Sequence, residues 1–327
     1  MKPSVLVTRK WPTSVEKKLA ELFDVTLNSV DEPLSQAQMR NALFDHDAIL
    51  TTVTDKLDAS VFDGIKPSEV KTRIIGNYGV GFSHIDLASA KRLGIVVTNT
   101  PDVLSECTAD IAVMLMLMAA RRAGEGEREL RNGEWTGWRP THMIGHKVSQ
   151  KTFGIVGFGR IGKAAAQRAR GFDMDIKVYN RSRIAQAVLD EYGATQLDSL
   201  DDLFSQSDFV SLHCPGGAEN THLVNQRLLG LMKSSGFLIN TARGEVVDDE
   251  ALISVLKNNQ IAGAGLDVFN NEPLINKAYL ALDNVVLLPH LGSATETTRD
   301  SMGYRVIDNI SAFFRELPPP DLVSLTK

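Results

Sequence analysis

Two cysteines in 327 residues, Cys107 and Cys214, are too few for a disulfide framework and fit a reducing, cytoplasmic setting. Basic tracts are missing too. Lysine and arginine form only short pairs, and the formal net charge of −5 speaks against a nucleic-acid surface. No apolar run approaches the length of a membrane span. The most apolar stretch, Ile111 to Ala120, is bracketed by Asp110 and Arg121-Arg122 and reads as a buried helix. The first residues, Met1-Lys2-Pro3-Ser4-Val5, enter an apolar strand without the core and cleavage site of a signal peptide. His84, His142, His146 and His213 have neither H-x-x-x-H nor Cys/His spacing, so no metal is expected. Tandem repeats and low-complexity tracts are absent as well.

What remains is a chain of ordinary globular composition, long enough for two cores. Short apolar runs alternate with helical patterns, which is the mark of α/β layering. The first third predicts strands at Val5–Thr8, Ala48–Thr52, Ile74–Asn77 and Ile95–Thr98. Helices are predicted over Val15–Phe23 and Ala37–Leu43, and a long one runs from about Ser105 to Arg122. A second α/β unit opens near Lys151. Six strands are predicted there: Phe153–Val156, Ile176–Tyr179, Phe209–His213, Phe237–Asn240, Gly263–Asp267 and Val285–Leu288. Thr295 to Leu317 repeats apolar residues at helical spacing and stops at Pro318-Pro319-Pro320. A helix beyond the second sheet can pack back on the first unit, which makes the first domain discontinuous. Met114, Met116 and Met118 read as core packing.

Gly157-Phe158-Gly159-Arg160-Ile161-Gly162 sits between the apolar run Phe153-Gly154-Ile155-Val156 and an alanine-rich helical stretch. That is a G-x-G-x-x-G turn in the setting a dinucleotide needs. The first glycine permits the tight turn, the second admits a pyrophosphate, and the third lets helix pack on strand. The helix N-terminus then faces the anion. After the next strand, an NAD site places an acid to hold the ribose hydroxyls. Here the chain reads Asn180-Arg181-Ser182-Arg183. Asn180 is neutral, Arg181 can pair with a 2′-phosphate, and Ser182 can donate a hydroxyl hydrogen bond. The expected preference is NADP(H), with NAD(H) as a second cofactor. The alternative is that Arg181 stacks on adenine and either cofactor serves.

Further segments complete a recognisable set: Asn77-Tyr78-Gly79-Val80-Gly81, Thr108-Ala109-Asp110, Asn240-Thr241-Ala242-Arg243-Gly244, Gly265-Leu266-Asp267-Val268-Phe269 with Glu272-Pro273, and Pro289-His290-Leu291-Gly292. Over essentially its full length the chain resembles the D-isomer-specific 2-hydroxyacid dehydrogenases, and among them the glyoxylate/hydroxypyruvate reductases. The resemblance implies an α/β fold in which a Rossmann-type nucleotide domain (100–291) is inserted into a smaller flavodoxin-like substrate-binding domain (1–99 and 292–327). It implies a homodimer built through the nucleotide domains and a small 2-oxo or 2-hydroxy acid as substrate. It also implies a cofactor site made of Thr108, Gly157, Phe158, Gly159, Arg160, Ile161, Gly162, Asn180, Arg181, Ser182, Cys214, Pro215, Thr241, Ala242, Arg243, Asp267, His290 and Gly292.

Reduction of a 2-oxo acid needs a cation to hold the substrate, an acid to protonate the carbonyl oxygen, and a nicotinamide within hydride reach. Arg243 follows a strand, and its planar, permanently charged fork matches a carboxylate and carbonyl pair. On the residues alone, a solvated or structural arginine stays open, and the resemblance assigns the substrate role. Histidine is the natural proton donor near neutral pH, and by resemblance Glu272 hydrogen-bonds His290 and favours its charged form. Asp267 can bind the nicotinamide amide or serve as a turn or cap residue. Val80 and Gly81 offer backbone amides to a substrate carboxylate, and Val53 is placed with them. Trp138 either reaches the neighbouring subunit's active site or packs in an interface or core. Cys107 and Cys214 read as buried small hydrophobes rather than nucleophiles.

The expected activity is reduction of glyoxylate to glycolate and of hydroxypyruvate to D-glycerate. Two alternatives stay open. One is a dehydrogenase for lactate or bulkier 2-oxo acids, and the other is a dinucleotide-sensing scaffold like the corepressors of this superfamily.

Overall fold

The computed structural model describes residues 1–323. The chain divides into two compact units. One comprises Met1–Leu104 and the C-terminal stretch from Thr295, and the other is Ser105–Ala294. The first break falls at 104/105, where a helix starting at Ser105 belongs wholly to the second unit, and the second falls at 294/295, just before the N-cap of a helix that belongs to the first. The sequence reading places them at 99/100 and 291/292.

The first unit contains β1 (Ser4–Val7), α1 (Thr13–Leu22), β2 (Asp24–Leu27), α2 (Gln36–Asp45), β3 (Ala48–Thr52), α3 (Ala59–Phe62), β4 (Ile74–Tyr78), α4 (Leu87–Arg92) and β5 (Val96–Thr98). Its five strands pair in the order β2-β1-β3-β4-β5, all parallel. That is the flavodoxin-like winding. One face buries Ile49, Ile75, Leu43, Phe62 and Val61 in a common apolar cluster.

The second unit contains α5 (Ser105–Ala120), α6 (Ala123–Arg131), β6 (Thr152–Val156), α7 (Arg160–Arg170), β7 (Asp175–Tyr179), α8 (Gln186–Tyr192), β8 (Ala194–Gln196), α9 (Leu200–Gln206), β9 (Phe209–Leu212), α10 (Gln226–Leu229), β10 (Phe237–Asn240), α11 (Asp249–Lys257), β11 (Gly263–Leu266) and β12 (Val285–Leu287). Its seven strands run β12-β11-β10-β9-β6-β7-β8, all parallel. The order reverses beside β6, the first strand of the unit, as in a Rossmann sheet. One strand more is present than the sequence reading allows: β8 is three residues at the sheet edge, too short to show a pattern.

Strand residues alternate between the two faces, as the two-residue period requires. Phe153, Ile155, Phe209, Phe237 and Ile239 pack with α5 and α7. Val156, Val210, Leu212 and Leu238 pack with α9, α10 and α11. Buried alanines 164, 165, 166 and 169 form the inner side of α7. Met116 is fully buried, but Met114 and Met118 line a surface cavity of about 400 Å³ with Asp110, Val113, Leu117, Arg168 and Phe172. Those two methionines therefore depart from the core role read in the sequence.

The last helix, α12 (Glu296–Phe314), belongs to the first unit and is capped by the Thr295 hydroxyl, which accepts from Thr298 N. Beyond it, Asp321 is nine-tenths buried and bonded to Arg305 Nε at 2.5 Å and Nη2 at 2.8 Å. Asn309 exchanges two further bonds with Asp321, each 2.9 Å. A paired, fully bonded carboxylate of this kind pins the chain segment that follows the helix. Among the described residues, no helix is long and apolar enough to cross a membrane.

Candidate active site

The chemistry-bearing residues of the second unit lie in the loops after the carboxyl ends of its strands. After β6 the chain turns at Gly157, whose φ of +91° is left-handed backbone. A Cβ there would also stand 2.8 Å from Cys214 N and 2.9 Å from His213 C. At Gly162 a Cβ would come within 2.3 Å of the Gly157 carbonyl oxygen, so the packing of α7 against the turn requires glycine. Gly159 differs: nothing lies within 4 Å of where its Cβ would be. As the N-cap of α7 it supplies no side-chain cap, and the first turn carries no acid. An open approach, N-terminal amides and the positive end of an 11-residue helix together fit a pyrophosphate.

Asn180 Oδ1 accepts the Phe158 amide at 3.4 Å, and its Nδ2 donates to Ser182 Oγ at 2.9 Å. Arg181 Nη1 pairs with Glu219 Oε2 at 2.7 Å, and Nη2 donates to Asn220 Oδ1 at 2.6 Å. After β9, burial pushes the His213 imidazole down to about 4 and the Cys214 thiol up to about 11. Both are therefore neutral near pH 7, and Cys214 holds too little thiolate to act as a nucleophile. Pro215 follows; its carbonyl accepts from Asn220 Nδ2 at 2.8 Å.

After β10, Asn240 folds the chain back on itself. Its Oδ1 accepts from Ala242 N and its Nδ2 donates to the Arg243 carbonyl, each at 3.0 Å. Arg243 then projects half-buried from an extended residue. Desolvation pulls its pKa down, while the negative charges of Glu245 and Glu272 oppose that pull. Among the described residues its guanidinium makes one hydrogen bond, Nη1 to the Ala242 carbonyl at 2.7 Å. The remaining donors of the fork are open to a ligand. The buried Thr241 hydroxyl likewise has no partner among the described residues.

After β11 comes Asp267, 1% exposed. Its backbone carbonyl accepts from His290 N, and its carboxylate oxygens accept from Leu291 N at 2.6 Å and Gly292 N at 2.8 Å. Thr108 Oγ1 holds the same loop through the Gly292 carbonyl at 3.1 Å. Within this clamp His290 stands at φ +55°, in the left-handed region that is uncommon for residues other than glycine. His290 Nδ1 meets Glu272 Oε2 at 2.7 Å, with side chains 32% and 28% exposed. Burial works to raise the Glu272 carboxyl. The bond to His290, the Phe269 amide and the charge of Arg243 outweigh it and leave the pKa below its usual value. Glu272 is thus ionised near neutral pH, and its bond to Nδ1 fixes one nitrogen of the His290 ring.

The geometry therefore brings together Arg243, Glu272, His290 and Asp267. In the first unit, Asn77 Nδ2 donates to the Gly79 and Gly81 carbonyls at 3.0 Å, and Asn99 Nδ2 takes the Val80 carbonyl at 2.8 Å. The amides of Val80 and Gly81 make no internal hydrogen bond among the described residues. Val53 packs against this loop, 3.1 Å from the position a Gly79 Cβ would take. Trp138 is 82% exposed, in a stretch without helix or strand. The sequence reading misses Asn77, Asn240, Glu219 and Asn220 as site residues. Asn240 has a local signal, an amide side chain two residues before the amide it bonds. Glu219 and Asn220 have none, since they reach Arg181 from 38 and 39 residues away. Among the described residues, no group of three or more His, Cys, Asp or Glu side chains is placed to hold a metal ion.

Residues 113–292 match the family model described as D-isomer specific 2-hydroxyacid dehydrogenase, NAD binding domain. The chain belongs to the D-isomer-specific 2-hydroxyacid dehydrogenase family. A glyoxylate reductase of Thermococcus onnurineus is 44% identical over 99% of this chain and 96% of its own length. Among solved structures, a D-isomer-specific 2-hydroxyacid dehydrogenase from Polaromonas superimposes with a TM-score of 0.91 at 37% identity, covering 99% of this chain and 100% of that one. An NADPH-dependent glyoxylate/hydroxypyruvate reductase from Sinorhizobium meliloti, in complex with NADP and malonate, gives 0.88 at 35% identity, with 99% and 97% covered. This dehydrogenase is accordingly an oxidoreductase whose cofactor class is a nicotinamide dinucleotide, and its chain combines an inserted Rossmann domain with a smaller flavodoxin-like one.

Proposed function

We propose that this dehydrogenase reduces small 2-oxo acids with NADPH, taking glyoxylate to glycolate and hydroxypyruvate to D-glycerate. The observation that carries the reading is the Arg243 fork, with donors open, beside the 2.7 Å His290–Glu272 pair. In the reaction Arg243 binds the substrate's carboxylate and carbonyl oxygens and polarises the carbonyl. His290 delivers a proton from Nε2 to the carbonyl oxygen, and Glu272 stabilises the imidazolium that holds it. The nicotinamide, when bound, supplies the hydride. Asp267 and Thr108 act on the loop that presents His290. Val80, Gly81 and Val53 are assigned to the substrate, the first two as amide donors to an anion.

The preference for NADPH rests on Asn180, Arg181 and Ser182 standing where an NAD site keeps an acid. A 2′-phosphate carries roughly −1.5 to −2 charge near pH 7, by analogy with other phosphomonoesters, and a carboxylate there would repel it. The Sinorhizobium neighbour, solved with NADP, agrees with this reading. Steady-state rates with glyoxylate, hydroxypyruvate, pyruvate and phenylpyruvate, each with NADPH and NADH, test both parts. We expect kcat/KM for the first two acids with NADPH to exceed the other combinations by about tenfold or more. Equal rates with all four acids, or a preference for NADH, would remove the corresponding part.

We also propose a homodimer through the nucleotide-binding unit. Leu130, Trp135, Trp138 and Ile144 are 51–82% exposed along one stretch after α5, and Met114 and Met118 line a surface cavity on α5 itself. Large exposed apolar side chains gathered in one stretch of chain support an interface there. Sedimentation is expected to give a dimer. Trp138→Ser combined with Ile144→Ser should shift it toward monomer, and a monomeric parent protein would end the proposal.

A further inference from the structure

Arg181, the residue assigned above to the 2′-phosphate, already has an anion. Its Nη1 lies 2.7 Å from Glu219 Oε2, on the loop between β9 and α10. The same loop gives Arg181 two neutral acceptors, Asn220 Oδ1 at 2.6 Å and the Glu219 carbonyl at 3.3 Å. Asn220 is 5% exposed and anchored to the Pro215 carbonyl. It is therefore a fixed support for the guanidinium. The carboxylate is different: the Arg181 and Glu219 side chains are 58% and 60% exposed. An exposed pair of this kind adds little to folding and exchanges readily for another anion.

We propose that Glu219 is a displaceable counter-ion that competes with the ribose 2′-phosphate for Arg181, and so sets how strongly the site favours NADP(H) over NAD(H). The proposal rests on the reading of Arg181 as the phosphate-binding residue. When a cofactor without the 2′-phosphate binds, Glu219 keeps the guanidinium neutralised. When the phosphate is present, it must displace the carboxylate and remain near a like charge. Asn220 keeps Arg181 in place in both cases, so the two roles of the loop, support and competition, reside in different side chains. The other arginine nearby, Arg183, is paired with Asp198 at 2.9 Å, and both are about 80% exposed. That pair is more solvated, and its influence is correspondingly more screened.

The test uses the full chain and two probes that differ only in the 2′-phosphate, adenosine 2′,5′-bisphosphate and 5′-AMP, with dissociation constants from calorimetry. Glu219→Gln is expected to tighten the bisphosphate about fivefold, or ~1 kcal/mol. Binding of 5′-AMP should change by less than about twofold, because the substitution leaves the neutral supports in place. Arg181→Ala serves as the control on the parent reading. It should remove most of the advantage of the bisphosphate over 5′-AMP. If Arg181→Ala leaves that advantage intact, the phosphate assignment of Arg181 fails and the counter-ion role falls with it. If Arg181→Ala removes the advantage but Glu219→Gln leaves bisphosphate binding unchanged or weaker, the assignment stands and competition by Glu219 is refuted.

Discussion

Replacing His290 with asparagine should lower kcat for 2-oxo acid reduction by about 10³-fold, within the range that loss of a positioned general acid produces. Asparagine is the informative substitution here. His290 stands at φ +55°, and asparagine tolerates that conformation better than glutamine or alanine. The loop held by the Asp267 carboxylate should therefore survive, and the dissociation constant for NADPH should change by less than about threefold. The asparagine amide can still meet Glu272, but it has no proton to give at neutral pH. Retention of more than about a tenth of the parent kcat would remove His290 from the proposed mechanism. Glu272→Gln makes the companion measurement. It deletes the negative charge 2.7 Å from the ring and keeps an acceptor for the Nδ1 proton. The loss of kcat should be smaller than in His290→Asn.

The parts of this molecule that are legible in its sequence are those where one physical requirement acts locally. Central strands such as β6 and β10 are buried on both faces, so Phe153–Val156 and Phe237–Asn240 stand out as apolar runs between turns. Edge strands lack that pressure. β2 exposes three of its four residues, and β8 spans only Ala194–Gln196; neither carries a pattern to read. Helix α6 is polar and contains Gly124 and Gly126, which weakens any helical signal. The candidate site divides in the same way. Arg243 and His290 each follow a strand, and the glycine turn repeats a spacing imposed by backbone contact. By contrast, the acceptors that hold Arg181 lie on another loop, and the clamp of Asp267 on Leu291 and Gly292 joins residues 24 and 25 positions apart. Such pairings follow from the order of strands in the sheet, which no local pattern encodes.

The second large effect is expected at Arg243. Lysine in its place preserves the cation, so the charges of Glu245 and Glu272 stay compensated and the fold should hold. What disappears is the planar fork. An ammonium presents a point charge on a flexible stem and cannot engage a carboxylate and a carbonyl side by side. The Arg243 backbone is fixed by Asn240 and its Nη1 by the Ala242 carbonyl, so the guanidinium is oriented before substrate arrives. Lysine forfeits that pre-orientation as well. We expect kcat/KM to fall about 10²-fold in Arg243→Lys and about 10³-fold or more in Arg243→Met, where the charge is lost too. The division between the two constants distinguishes the possible roles. If Arg243 only anchors the carboxylate, KM rises and kcat stays; if it also polarises the carbonyl, kcat falls as well. The open donors beside the His290–Glu272 pair favour the second outcome. A lysine variant with the parent's kcat and KM would show that Arg243 is structural, and would leave His290 without the partner that makes its proton useful.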